Sequence, residues 1–103
     1  MNRPYVNKFI GMILDELEKA ETKHPQFADV YSMKEPTVVR KSLKYLRERN
    51  AEGPFEADTV LYEEIAEATE AWLQQDKEHC LEELAQCGAV IMRMMELVEK
   101  EMK

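Results

Sequence analysis

The sequence predicts an all-α protein: a four-helix bundle, formed by a single domain that spans residues 1–103. Three observations lead to this fold class. Apolar residues recur every three or four positions along four segments, which is the spacing of one face of an α-helix. The connections between these segments are short, as in helical bundles. No run of alternating apolar and polar residues indicates a strand.

The first predicted helix runs from about Pro4 to His24. Pro4 suits a first helical turn, and Pro25 ends the helix because proline disfavours α geometry at the residue before it. The apolar residues at helical spacing are Val6, Phe9, Ile10, Ile13, Leu14 and Leu17. A loop is predicted over residues 26–35, with buried anchors at Phe27, Val30 and Tyr31.

The second predicted helix runs from about Pro36, a favourable first helical residue, to Asn50. Its apolar stripe consists of Val38, Val39, Leu43 and Leu46. The opposite side is basic and carries Arg40, Lys41, Lys44, Arg47 and Arg49. A basic helix side of this kind is typically solvated or paired with acidic neighbours or a second subunit, and a triphosphate-binding face is the alternative.

A turn at residues 52–54 separates the second helix from the third, which is predicted from about Ala57 to Gln75 with Glu56 or Asp58 as its N-cap. Asp76 is the predicted N-cap of the fourth helix, which runs to about Glu101. Two rows of this helix are apolar over much of its length. We therefore expect it to be buried between partners, with Glu83 and Gln86 turned inward.

The charge balance excludes several classes of partner. The net charge is −7 and the isoelectric point is about 4.9. Nonspecific binding to nucleic acid or to an anionic membrane surface needs basic patches, so neither is expected. The N-terminal residues do not resemble a signal peptide, and no stretch is apolar enough to span a membrane. Cys80 and Cys87 are seven apart on one predicted helix, too distant to bridge, which favours reduced thiols in a cytoplasmic protein.

Two acidic clusters are the most informative feature of the chain. Residues 63–67 read EEIAE, and residues 83–86 read ELAQ after fifteen intervening residues. Side chains three apart lie on one face of a helix, so each cluster can direct two oxygen ligands the same way. Two such helices packed face to face would gather about four oxygens around one hard divalent cation.

A solvated acidic face is the alternative interpretation, since acid-rich helices are common. Against it, Glu64 and Glu67 interrupt a row of small apolar residues, and the row of Glu83 and Gln86 continues into Val90. Buried carboxylates without compensation cost on the order of several kcal/mol each or take up protons. A metal ion would remove that penalty.

These motifs resemble the MazG-type all-α nucleoside triphosphate pyrophosphohydrolases, in their short, phage-like branch. That family is marked by EExxE, a gap and ExxD. Residues 63–67 match the first half, whereas Gln86 stands where the family has Asp. Lys23 and His24, followed by Pro25, resemble the end of the first helix in that branch.

The resemblance implies hydrolysis of a nucleoside triphosphate to the monophosphate and pyrophosphate by a homodimer or homotetramer. Glu64, Glu67 and Glu83 would bind Mg²⁺, for which Mn²⁺ can substitute, and Gln86 would be the fourth ligand through its amide oxygen. Glu63 would orient or deprotonate the attacking water, or help to hold a second metal.

Three further residues are candidates for substrate binding. Lys23 and His24 could reach the phosphates or the base, and capping of the first helix is the alternative. Trp72 could stack on a nucleobase beside Glu67, and a core or interface anchor is the more common role of a lone helix Trp. Because Gln86 replaces Asp, a non-catalytic helical module that binds a nucleotide or a protein through a degenerate metal site is the alternative function.

Overall fold

The computed structural model describes residues 4–28, 31 and 35–102, and over these residues the chain is all-α, with four helices and no strand. The helices are α1 (Val6–Lys23), α2 (Pro36–Glu52), α3 (Ala57–Leu73) and α4 (Lys77–Glu101). Each lies within two residues of its predicted bounds, which confirms the all-α class. Within the described ranges, no helix combines the length and the apolar character that crossing a membrane requires.

The chain divides into two compact units, Met1–Met33 and Lys34–Lys103. The first unit contains α1, whose Phe9 is buried and stacks on Tyr5 with ring centroids 5.9 Å apart. Four other residues of its apolar stripe are exposed: Ile10, Ile13, Leu14 and Leu17.

The loop after α1 departs from the prediction. Phe27 is 50% exposed and Tyr31 is 36% exposed, so the expectation that both are buried anchors is wrong. Residues 25–28 form a turn directly after α1, and a single helix offers no second layer that could enclose these rings. Val30, the third predicted anchor, lies outside the described residues.

The second unit is built around α3. This helix contacts α2 and α4, whereas α2 and α4 make no contact with each other over the residues that the structure describes. Short connections make α3 antiparallel to both of its neighbours in this unit.

Small side chains bring α3 and α4 together. Ala68 and Ala71 of α3 and Cys80 of α4 form one buried cluster, and Cys87 is buried further along α4. Both cysteines are free thiols, as predicted. Side chains of this size let two helix backbones approach closely, which places neighbouring side chains of the two helices within reach of each other.

The turn from α3 to α4 is a Schellman motif. The amide of Asp76 donates to the carbonyl of Ala71 at 2.9 Å, and the amide of Gln75 donates to the carbonyl of Trp72 at 3.0 Å. Gln75 takes the left-handed conformation at φ 61°. Asp76 then caps α4 as predicted, since its side chain accepts from the amide of His79 at 3.1 Å.

The N-cap of α3 is Glu56, one of the two predicted residues, but its side chain makes no capping hydrogen bond. Before it, the C-cap of α2 is Gly53, which has φ 68° and ψ 176°. Side chains rarely tolerate that conformation, so glycine suits the turn that brings α2 back against α3.

Candidate metal centre

Three glutamates of α3 converge on one spot. Glu63, Glu64 and Glu67 each offer one carboxylate oxygen, and these oxygens lie within 4.8 Å of one another. All three side chains are partly buried. Their positions within one helical turn explain the convergence, because side chains three and four apart share a helix face.

A fourth carboxyl group reaches the same spot from α4. Glu83 is only 5% exposed, and its carboxyl lies within hydrogen-bonding reach of those of Glu64 and Glu67. Glu83 stands on the buried row of α4 between Cys80 and Cys87. The tight contact of α3 and α4 therefore completes a cluster of four carboxyl groups, which we call the acidic cluster: Glu63, Glu64, Glu67 and Glu83.

Gln86 does not join this cluster. Its side chain is exposed, so the expectation that Gln86 turns inward with Glu83 is wrong. The buried row of α4 runs through Cys80, Glu83 and Cys87, at spacings of three and four. Gln86 lies about 100° from Cys87 and about 120° from Cys80 around the helix, which puts it outside that row.

Burial and the proximity of other carboxyl groups make two members of the acidic cluster, Glu67 and Glu83, hard to ionise. Loss of water around Glu67, followed by the closeness of Glu83 and Glu63, raises the pKa of Glu67 from the ordinary 4.5 to about 7. Burial, and then the hydrogen bond with Glu64, also raise the pKa of Glu83. A positive charge beside Glu67 and Glu83 would favour their ionised forms.

Several oxygen atoms at this place lack a donor. Oε2 of Glu64, Oε2 of Glu83 and Oδ1 of Asn50 are buried without a hydrogen-bond partner. An unpaired buried polar atom costs roughly 1–3 kcal/mol. Oxygen ligands on opposite sides of Mg²⁺ lie about 4 Å apart, and those around Ca²⁺ about 5 Å, so the spacing and chemistry of this donor set fit a hard divalent cation.

Two residues of α2 contact the acidic cluster, and the sequence did not predict that either of them would do so. Nδ2 of Asn50 donates to Oε1 of Glu63 at 2.9 Å and to the carbonyl of Thr59 at 3.2 Å. Arg47, predicted to belong to a solvated or paired basic face, lies 3.5 Å from Oε1 of Glu67. One signal was available for Asn50: it continues the buried α2 row of Val39 and Leu43 at helical spacing.

His79 flanks the acidic cluster on α4. Its Nε2 lies 3.5 Å from Oε1 of Glu83, and its Nδ1 lies 3.8 Å from Oε2 of Glu82. The side chain is 50% exposed. His79 therefore contacts Oε1 of Glu83. The other carboxylate oxygen, Oε2, has no hydrogen-bond partner and is left for a ligand.

The three predicted substrate-binding residues are exposed. Lys23 ends α1 and His24 follows it, and both are exposed in the first unit, where their role stays a prediction. Trp72 is 41% exposed. It lies about 140° around α3 from Glu67, and its role in stacking on a nucleobase stays a prediction.

An apolar cleft between α2 and α3 lies away from the acidic cluster. It has a volume of about 180 Å³ and is lined by Val38, Val39, Ser42, Leu46, Tyr62, Ile65, Ala66 and Thr69. Ile65 lies about 160° around α3 from Glu67.

Comparisons of the chain with protein-family models, with curated proteins and with solved structures find no match.

Proposed function

We propose that this chain is a Mg²⁺-dependent nucleoside triphosphate pyrophosphohydrolase with a MazG-like site, which releases a nucleoside monophosphate and pyrophosphate. One observation carries the proposal. Four carboxyl groups from two helices share one partly buried spot, and buried oxygens of Glu64 and Glu83 have no hydrogen donor. A bound cation would compensate the charge and satisfy both oxygens.

The acidic surroundings make a cation necessary for any phosphate substrate. Mg²⁺ at this place would neutralise the triphosphate and lower the pKa of a bound water. Glu64, Glu67 and Glu83 would hold the cation. Glu63, fixed from α2 by Asn50, would orient the attacking water or accept its proton, as general bases do when they lie within hydrogen-bond reach.

Gln86 is not needed for this assignment. The four carboxyl groups of the acidic cluster occupy the four glutamate positions of the family pattern, and only its Asp position lacks a carboxylate. An exposed amide at position 86 therefore lowers neither the count of buried carboxylates nor their proximity. We expect Gln86→Asp to change Mg²⁺ affinity less than Glu83→Gln does.

We further propose that the protein works as a homodimer or homotetramer. Apolar residues at heptad-like spacing follow one side of α4 and leave a row of exposed side chains: Leu81, Leu84, Ile91, Val98 and Met102. Rows of this kind in a small protein typically mark a contact between helices of different subunits.

The decisive experiment measures pyrophosphate release from a panel of common and modified nucleoside triphosphates with Mg²⁺ or Mn²⁺. Phosphate that is detected only after added inorganic pyrophosphatase would demonstrate cleavage at the α-phosphorus. Glu64→Gln and Glu83→Gln should abolish this release. Glu82→Gln, which neutralises the exposed neighbour of Glu83, is the matched control and should retain it. A flat panel for folded wild type, or activity that survives both substitutions, would refute the proposal.

The second candidate function is a non-catalytic module that binds a nucleotide or a protein. The observation that favours it is Gln86, which is neutral where the family has Asp and is exposed. Melting curves separate the two functions. A rise in melting temperature with Mn²⁺ over EDTA favours a working cation site, whereas identical melting favours the binding module.

A further inference from the structure

Asn50 is a buried amide at the place where α2 meets the acidic cluster. It is only 6% exposed and is the last buried residue of α2. Its Nδ2 bridges the carbonyl of Thr59, in the first turn of α3, and Oε1 of Glu63, one turn later. Its Oδ1 is buried without a hydrogen-bond partner.

A role in folding alone does not account for this arrangement. Capping the carbonyl of Thr59 uses one hydrogen of the amide, while the second hydrogen goes to Glu63 and the oxygen stays unsatisfied. An apolar residue would continue the row of Val39 and Leu43 without burying an unpaired oxygen. The amide therefore serves something besides the packing of α2 against α3.

The bond to Glu63 restricts that carboxylate. An amide donor 2.9 Å from Oε1 holds the side chain in one orientation, so that its other oxygen is the one left for a cation or for water. Partners that orient ligating carboxylates in this way affect cation affinity even though they do not touch the cation.

We propose that Asn50 is a positioning residue of the cation site, which acts through Glu63. This inference rests on the proposed function only in requiring a divalent cation at the acidic cluster; it does not require that a nucleotide is hydrolysed. Without Asn50, Glu63 would rotate freely and the cation would lose an oriented ligand. Typical losses from such changes are 10–100-fold in affinity, and we expect about tenfold here.

The test is a titration of the full chain with Mn²⁺, followed by the loss of the electron paramagnetic resonance signal of free Mn²⁺, with no nucleotide present. Wild type, Asn50→Leu, Glu63→Gln and the double variant are compared. Leucine keeps the volume and packing of the site while it removes the donor. Asn50→Ala is measured as well, in case leucine prevents folding.

The effects of Asn50→Leu and Glu63→Gln on Mn²⁺ affinity should not be additive. Each should weaken Mn²⁺ binding, and Asn50→Leu should have little further effect once Glu63 is Gln, because its target carboxylate is gone. Leu43→Ala, on the same buried row of α2 but without a bond to the acidic cluster, is the stability control. It should lower the melting temperature and leave Mn²⁺ affinity unchanged.

Unchanged Mn²⁺ affinity in folded Asn50→Leu and Asn50→Ala would overturn the inference, as would fully additive effects in the double variant. These outcomes are independent of turnover. A wild type that binds Mn²⁺ and hydrolyses no nucleotide would refute the proposed enzymatic function. The role of Asn50 would still be decided by the Mn²⁺ affinities of the variants.

Discussion

At the scale of single residues, the ionisation of Glu67 links the site to the stability of the fold. Its pKa of about 7 in the folded protein exceeds the ordinary 4.5. Below pH 4.5 the Glu67 carboxyl is protonated in both the folded and the unfolded protein. As the pH rises towards 7, only the unfolded protein releases this proton. The stabilisation is therefore present in acid and lost by about pH 7, a change of roughly 3 kcal/mol.

We accordingly predict that, in EDTA, the free energy of unfolding falls between pH 5 and pH 8. The raised pKa of Glu83 acts in the same direction. Urea denaturation at several pH values measures the effect, and Glu67→Gln should flatten the dependence because an amide has no proton to release. A wild-type stability that stays constant or rises over this range would contradict the raised pKa.

A bound cation should reverse the sign of this dependence. Cation binding requires ionised carboxylates, so stabilisation by Mn²⁺ grows as the pH rises and protons leave the acidic cluster. The free energy of unfolding should therefore fall as the pH rises in EDTA, whereas the stabilisation by Mn²⁺ should grow.

At the scale of elements, the turn between α3 and α4 fixes where α4 begins and hence where Glu83 falls. Gln75 takes a left-handed conformation, which costs a side-chain-bearing residue roughly 1–2 kcal/mol relative to glycine. Glycine also loses more freedom on folding, by about 0.4–1 kcal/mol. The two effects oppose each other, and the conformational strain is the larger.

Gln75→Gly should therefore stabilise the protein by about 0.5–1 kcal/mol. The matched control is Gln74→Gly at the adjacent C-cap, where φ is −83° and glycine gains no conformational advantage, so this change should destabilise slightly. Thermal unfolding of both variants checks the pair. Destabilisation by Gln75→Gly would mean that the Schellman turn does not govern this connection.

The close packing of α3 against α4 is the second element-scale determinant of the site. Ala68 is 1% exposed, so a larger side chain there must push the two helices apart. Ala68→Leu should cost about 1–3 kcal/mol of stability and, by moving Glu83 away from Glu64, weaken Mn²⁺ binding. Ala51→Leu, at an exposed position of α2, is the matched control and should change neither quantity.

Retention of full Mn²⁺ affinity by folded Ala68→Leu would show that the cation needs only the three glutamates of α3. Denaturant unfolding gives the stability of each variant, and the Mn²⁺ titration gives the affinity at a temperature where both are folded.

At the scale of the whole molecule, the exposed apolar row of α4 predicts self-association. Ile91 is 39% exposed and Val98 is 58% exposed, and both lie on the heptad-like row that begins at Leu81. Burying such a row between subunits would supply apolar contact that one 103-residue chain cannot provide for itself.

Ile91→Glu combined with Val98→Glu should reduce the mass in solution to that of one chain of 12.1 kDa, as measured by light scattering after size exclusion. Lys100→Glu, on the opposite side of α4, is the control and should leave the mass unchanged. A wild type that already elutes as a monomer at micromolar concentration would contradict the expected oligomer.

The sequence alone determined the helices and much of the acidic cluster. The helices were predicted from apolar periodicity, from Pro36 and from the cap at Asp76. Each of these signals involves only a few neighbouring residues, so it can be recognised without a tertiary structure. The grouping of Glu63, Glu64 and Glu67 follows from their spacing within one turn. These features depend on residues that are close in the sequence, so the sequence is sufficient to predict them.

Only the tertiary structure decided which side chains reach the acidic cluster from the neighbouring helices. Because α4 is apolar on more than one side, its periodicity does not fix its rotation; the close contact of Ala68, Ala71 and Cys80 does. That rotation buries Glu83 and leaves Gln86 exposed. Asn50 joins Glu63 through the pairing of α2 with α3, a contact between positions thirteen residues apart that no local pattern encodes.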